Sequence, residues 1–203
     1  MPLVRSMLFV DVMPTTTFAV VRSLVSCLVA SICAVTLVHA QAETFAAVAS
    51  MKTAGGVSTT APLTVVVNQF ATDADQAALV AAVKTGNTAA VRDWLQKRPD
   101  AGTLQIGSRR TAIKYVYGRP TADGRLITVA TAEPIAFVGA GLPGAKPTAG
   151  YELGLVLLNV TASGPGNGEL SPAAKVRVND QGALVTEDYN AANVVHLSNV
   201  VKK

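Results

Sequence analysis

The amino-acid sequence predicts an α+β protein that is mainly β. The expected fold is an antiparallel β-sandwich or partly closed barrel, with one α-helical hairpin inserted at about residues 72–98. Three observations lead there. From about residue 103 onward the apolar residues recur with a period of two, and turn signals punctuate them every 8–12 residues. Only the stretch between Thr72 and Pro99 carries a helical period bounded by start and stop signals. The strand-like stretches follow one another with no helix between them, which implies antiparallel pairing. A chain of 203 residues is long enough for one domain with a real core.

The first 40 residues read as an address rather than as part of that fold. Arg22 precedes an uncharged apolar run, Ser23 to Val38, which ends in Val38-His39-Ala40. A positive start, an apolar middle and a small final residue are the parts of a secretory signal peptide, so cleavage is expected after Ala40. The run is short for a membrane helix, which needs about 20 apolar residues. Met7 and Met13 are alternative starts. Leu24-Val25-Ser26-Cys27 resembles a lipoprotein cleavage box, but Arg22 leaves no apolar stretch in front of it.

Cys27 and Cys33 both lie in this leader. The exported chain is therefore expected to lack disulfides, thiolate metal sites and cysteine nucleophiles. Loss of Arg5, Arg22 and Asp11 would change the net charge from +4 to +3, too mild to compel a nucleic-acid or membrane partner. No nucleic acid, and no membrane span in the exported chain, is expected.

Residues 41–51 are expected to form a flexible start, and 52–203 a single β-rich domain. A first strand is expected near Lys52–Ser58, and β-branched "PLTVVVNQF" (62–70) forms a second. Thr72 is a good N-cap for the first helix, with Asp75 three residues later and Asp73 favouring the positive helix end. Gly86 can end that helix, Asn87 or Thr88 can cap the next, and Pro99 stops it. Leu79 and Val83 give one apolar face, and Val91, Trp94 and Leu95 another. Trp94 is expected to anchor the hairpin on the sheet.

"TLQIGS", "TAIKYVYG", "RLITVATA" and "PIAFV" then read as strands, with an Asp-Gly turn at 122–125 and a loop over 139–150. "YELGLVLLNVTA" (151–162) is apolar on both alternations, the mark of a strand buried on two sides. "GPGNG" (164–168) reads as a loop, "AKVRV" as a strand, and "NDQG" as a turn. "ALVTEDY" and "NVVHLSNVV" complete the set.

Residues 79–102, "LVAAVKTGNTAAVRDWLQKRPDAG", resemble the helix-turn-helix part of an ankyrin unit. Such units stack in arrays of at least about three. The chain one period later reads "TAIKYVYGRPTADG", which is strand-like, so a lone hairpin packed on a sheet is expected. A wider resemblance rests on "VVVNQFATDADQAALVAAVK", "VATAEPIAF", "YELGLVLLNVTASGPGNGELSPAAKVRV" and "YNAANVVHLSNVV". These are similar to an uncharacterised group of secreted bacterial proteins in which a helical hairpin is followed by β-strands. The resemblance implies export and no particular activity.

Chemistry-bearing motifs are few. Gly139-Ala140-Gly141-Leu142-Pro143-Gly144 matches a dinucleotide-binding fingerprint, but Pro143, Pro147 and Gly150 forbid the helix that would hold a pyrophosphate. His196 is the single histidine after the leader, so neither a metal nor another cofactor is expected. It alternates with Val195 and Leu197 and should point outward beside Ser198. A base role with Ser171 or Ser198 and Asp180 or Asp188 lacks the turn that presents a serine nucleophile. Asp73/Asp75 read as helix-start charges, and Glu187-Asp188 lack an apolar setting that would split their pKa values. Calcium binding by Asp180, Glu187 and Asp188 lacks the loop spacing. Asn159-Val160-Thr161 is a glycosylation sequon placed in a strand expected to be buried.

Arg109, Arg110, Lys114 and Arg119, among Tyr115 and Tyr117, form the one basic patch and a candidate surface for an anionic envelope component. Alternation should set Lys114 and the tyrosines on opposite faces. The leading functional expectation is an exported, non-enzymatic binding or structural module. The alternatives are a secreted hydrolase using Asp, Glu or Ser, and a carrier of a small apolar ligand.

Overall fold

A computed structural model describes residues 42–52, 56, 58–85, 88–137, 149–180, 182–189 and 195–203. Among them the strands are β1 (Glu43–Lys52), β2 (Ser58–Val67), β3 (Gly102–Ile106), β4 (Arg109–Ile113) and β5 (Tyr115–Thr121), then β6 (Gly124–Thr131), β7 (Leu153–Thr161), β8 (Gly166–Val178), β9 (Leu184–Tyr189) and β10 (Val195–Lys202). The helices are α1 (Asp73–Thr85) and α2 (Thr88–Gln96), inserted after β2. Pairing is antiparallel throughout, in the order β4-β3-β2-β1-β10-β8-β7-β6-β5, with β9 added to β8. The sheet curls into a half-barrel, the partly closed barrel of the two expected architectures.

The two lateral strands of that order, β4 and β5, are consecutive in the chain. Only Lys114 separates them, and its amide donates to Ala130 O of β6. Ile113 and Val116 both face the barrel interior, so the alternation slips at Lys114. The seam is stitched further by Ala71 N to Val116 O and Ala101 N to Ile113 O, both 2.7 Å.

Two apolar layers result. The barrel interior holds Phe45, Val65, Leu104, Ile127, Val156 and Leu158, each at most 1 % exposed. The second layer lies outside the sheet, where α1 and α2 cover part of it. Leu79, Val91 and Leu95 there meet Tyr115, Leu153, Leu155 and Val176. β7 therefore sends Leu153 and Leu155 to the helices and Val156 and Leu158 inward, the two-sided burial its composition predicts.

Helix α1 starts as its sequence dictates. Thr72 Oγ1 accepts from Asp75 N at 3.2 Å, and Thr72 N donates to Asp75 Oδ2 at 2.9 Å. Arg98, just past α2, reaches back to Asp75 at 2.6 Å and lies 4.5 Å from the Trp94 ring centroid. Trp94 meets Tyr115 edge-on at 6.2 Å. Trp94 remains half-buried, whereas Val91 and Leu95 are fully buried, so these aliphatic side chains share the anchoring role expected of the indole.

One end of the barrel is closed by polar groups. Arg125 pairs with Glu43, which also accepts from Lys202 Nζ at 3.0 Å, and the guanidinium lies between the rings of Phe70 (5.0 Å) and Phe45 (5.8 Å). Burial pushes the Glu43 carboxyl up, and its bonds from Arg125 and Lys202 outweigh this and hold it below the usual carboxylate range.

Four expectations need correction. Residues 43–51 are no flexible start but most of β1, inside the sheet between β2 and β10, and the expected Lys52–Ser58 strand falls between two strands. Phe45, Ala47, Ala49 and Met51 face inward at every second position, and burial makes this alanine-rich stretch a strand. "PIAFV" contains no strand over 134–137, because Ile135 and Phe137 are spent filling the barrel, with Ile135 N donating to Pro172 O. β8 starts inside the expected loop, at Gly166, since the lack of a Cβ there permits close approach to the Asn159 carbonyl. Ala40, Gly86, Asn87 and Gly139–Gly144 lie outside the described residues.

Candidate ligand-binding surface

The part of the outer sheet face beyond the helices carries a polar strip that strand register assembles. One row runs Arg119, Leu126, Asn159, Asn167 and Ser198, on β5, β6, β7, β8 and β10. Beside it run Tyr117, Thr128, Leu157, Glu169 and His196 on the same strands, then Ser50 on β1. Side chains at every second position share a face, so both rows point outward while Val116, Ile127, Leu158 and Leu197 point in.

An open groove of about 460 Å³ follows the strip, lined by Leu126, Leu157, Asn159, Asn167, Glu169 and His196. Asn167, Glu169, His196 and Ser198 are exposed, and Asn159 and Leu157 half-buried. Leu126 also borders a small crevice under the hairpin, beside Gln76, Tyr117, Arg119 and Leu184. Tyr117 stacks on Tyr115 with ring centroids 6.4 Å apart and donates its hydroxyl to Asp73 at 3.1 Å. Partial burial and that bond raise its pKa.

The structure separates the four basic residues. Arg109 and Arg110 are exposed on β4, where Arg110 Nε donates to Gln105 Oε1 at 3.2 Å. Lys114 contacts Asp100 at 2.6 Å and the Arg98 carbonyl at 3.2 Å, so it is committed to the hairpin exit. Arg119 alone joins the strip, on the same face as Tyr115 and Tyr117. His196 points outward as expected, with Val195 and Leu197 buried on either side.

The Ser-His arrangement that the sequence disfavours is not assembled with Ser171. That residue is buried, 3.2 Å from Thr186 Oγ1, and His196 stands between Glu169 on β8 and Ser50 on β1, whose hydroxyl donates to the His196 carbonyl at 3.3 Å. Asp73 and Asp75 are occupied at the helix start, and Thr72 and Arg98 hold the Asp75 carboxyl below its usual range. Glu187 meets Lys175 at 3.4 Å. The sequon Asn159 is not buried but sits half-exposed on the outer face, because β7 is covered by the helices only along part of its length.

No protein-family model, curated protein or solved structure matches the chain. Sequence reading missed Asn167 because "GPGNG" (164–168) reads as a loop, and Glu169 because it falls between that loop and the expected strand "AKVRV". The available signal was the alternation Asn167, Glu169 against Gly168, Leu170, which runs unbroken into β8. Among the described residues no cluster of three or more His, Cys, Asp or Glu side chains could hold a metal, and no helix is long and apolar enough to cross a membrane.

Proposed function

We propose that the protein is an exported, non-enzymatic binding module of the bacterial envelope that takes its ligand on the outer strip rather than inside the barrel. One contrast carries this reading. Among the described residues the interior is lined by apolar side chains withdrawn from solvent, with Arg125, Glu43, Lys202 and Phe70 gathered at one end, whereas the outer face gathers hydrogen-bonding side chains over an open groove. The signal-peptide pattern ending at Ala40 and the resemblance to secreted bacterial proteins support export. Against hydrolysis, the groove lining offers one carboxylate, Glu169, where a glycosidase-type site needs two. Ser171 shares its hydroxyl with Thr186.

Amide-shift mapping tests the site. Soluble glycan, peptide and headgroup fractions of a bacterial envelope are titrated into the isotopically labelled protein. Shifts are expected at Asn159, Asn167, Glu169 and His196, and none at Phe45 or Leu158. Shifts centred on the interior, or chemical turnover of a fraction, would overturn the reading. Export is tested by sequencing the secreted form, whose first residue should be Gln41.

A further inference from the structure

We propose that the strip is a polysaccharide-binding face, made for an uncharged, extended glycan laid across β5, β6, β7, β8 and β10. This rests on the outer-surface reading above and names the ligand class of that surface. The main chain of four of the five strands is taken up by pairing, and β5 alone among them lies at an edge of the sheet. β6, β7 and β10 are paired on both sides, and so is β8 along Asn167–Leu170. A peptide that recognises a sheet by adding a strand needs a free edge, which among these strands only β5 has, so across β6, β7, β8 and β10 recognition must come from side chains.

Those side chains suit hydroxyl groups. A sugar hydroxyl both donates and accepts, and so do the carboxamides of Asn159 and Asn167, which stand opposite each other on β7 and β8. Glu169 only accepts and Arg119 only donates. His196 and Ser198 add two more partners, on β10. Leu126 and Leu157 lie among them as apolar ground for the C–H faces of pyranose rings. Arg119 and Glu169 offset each other in charge. Asp73 at the margin is bonded to Tyr117, and Lys114 is bound to Asp100 elsewhere. A polyanion would meet Glu169 unpaired and a polycation Arg119, so an uncharged chain fits best.

Length points the same way. Four inter-strand steps of about 4.8 Å give a strip about 19 Å long. That spans several sugars, and each step is comparable with the advance of one sugar in an extended β-linked chain.

The test is calorimetry and amide-shift mapping with neutral β-1,4-linked hexasaccharides of glucose and of N-acetylglucosamine. Their monosaccharides, polygalacturonate and an uncharged unstructured peptide serve as comparators. A hexasaccharide should bind at least about tenfold more tightly than its monosaccharide, with an affinity unchanged between low and high salt. Asn159→Ala and Asn167→Ala should each weaken it about tenfold at an unchanged thermal midpoint, and Arg109→Ala should not weaken it. Glycan binding indifferent to both asparagine variants overturns the proposal. Binding of the peptide or polygalacturonate at the strip, without glycan binding, overturns the glycan assignment but leaves the outer-surface reading standing. If neither these probes nor the envelope fractions shift the strip, both fail.

Discussion

Replacing Trp94 by alanine asks how the hairpin is held to the sheet. A fully buried tryptophan costs about 3–5 kcal/mol when truncated. Trp94 is half-buried, so roughly half of that applies, about 2 kcal/mol. Its edge-on contact with Tyr115 at 6.2 Å adds about 0.5–1 kcal/mol beyond area. The Arg98 cation at 4.5 Å adds about 0.5 kcal/mol, because it is partly hydrated and also held by Asp75. The expected loss is about 3 kcal/mol, the lower end of what a fully buried ring would give. Leu95→Ala is the comparator, with no exposed surface and an expected loss of about 3–4 kcal/mol. Urea unfolding should be followed by far-ultraviolet circular dichroism, because Trp94 is the sole tryptophan and its removal takes away the fluorescent reporter. A loss below about 1 kcal/mol for Trp94→Ala, or none for Leu95→Ala, would refute this account of the second apolar layer.

Gly154→Ala should destabilise by about 1–3 kcal/mol in the same assay, because a Cβ there would fall within 2.5 Å of Ile135 and Thr131 atoms inside the barrel; a neutral effect would show that Ile135 is free to move. Glu43 and Asp75 both have folded pKa values below the ordinary range, so their contribution is full above about pH 4–5 and is lost as pH falls through the folded values. Acid titration of stability should therefore be shallower in Asp75→Asn than in the parent, and an unchanged slope would contradict the cap and ion pair. Asp75→Ala should cost about 1 kcal/mol at neutral pH through loss of the carboxylate's bonds from Thr72 and Arg98, while the cap bond from the residue-75 amide to Thr72 stays, measured by urea unfolding. His196→Ala should change stability by no more than about 0.5 kcal/mol, since the ring is exposed; a larger loss would place it in the core.

Local signals carried their meaning into the fold where one element sufficed to express them. Thr72 and Asp75 specify a helix start within four residues of chain, and they form it. The doubled apolar pattern of β7 encodes its place between two layers. Other features depend on contacts too distant in sequence to leave a local mark. β1 is alanine-rich and weakly strand-forming, and it is held by β2 on one side and by residues as far away as Lys202 on the other. Ile135 and Phe137 keep strand-like spacing yet serve as fillers, because Gly154 leaves room for Ile135. The candidate site is the extreme case. Glu169 and His196 become neighbours only through the β8–β10 register, as do Leu126, Asn159 and Asn167 through β6, β7 and β8. Of the basic residues singled out by composition, Arg119 alone reaches the strip, since the slip at Lys114 diverts that side chain to Asp100.

That slip has a mechanical consequence. A single run of chain, Arg109 to Thr121, fastens both flanks of the curled sheet, and at its midpoint the Lys114 side chain grips the turn that leaves α2. Prising the helices away and uncurling the strands therefore strain the same clasp. Helical and strand signals should vanish together on denaturation, and a molecule with no sulfur bridge among its described residues would keep its shape through one shared fastening rather than many separate ones.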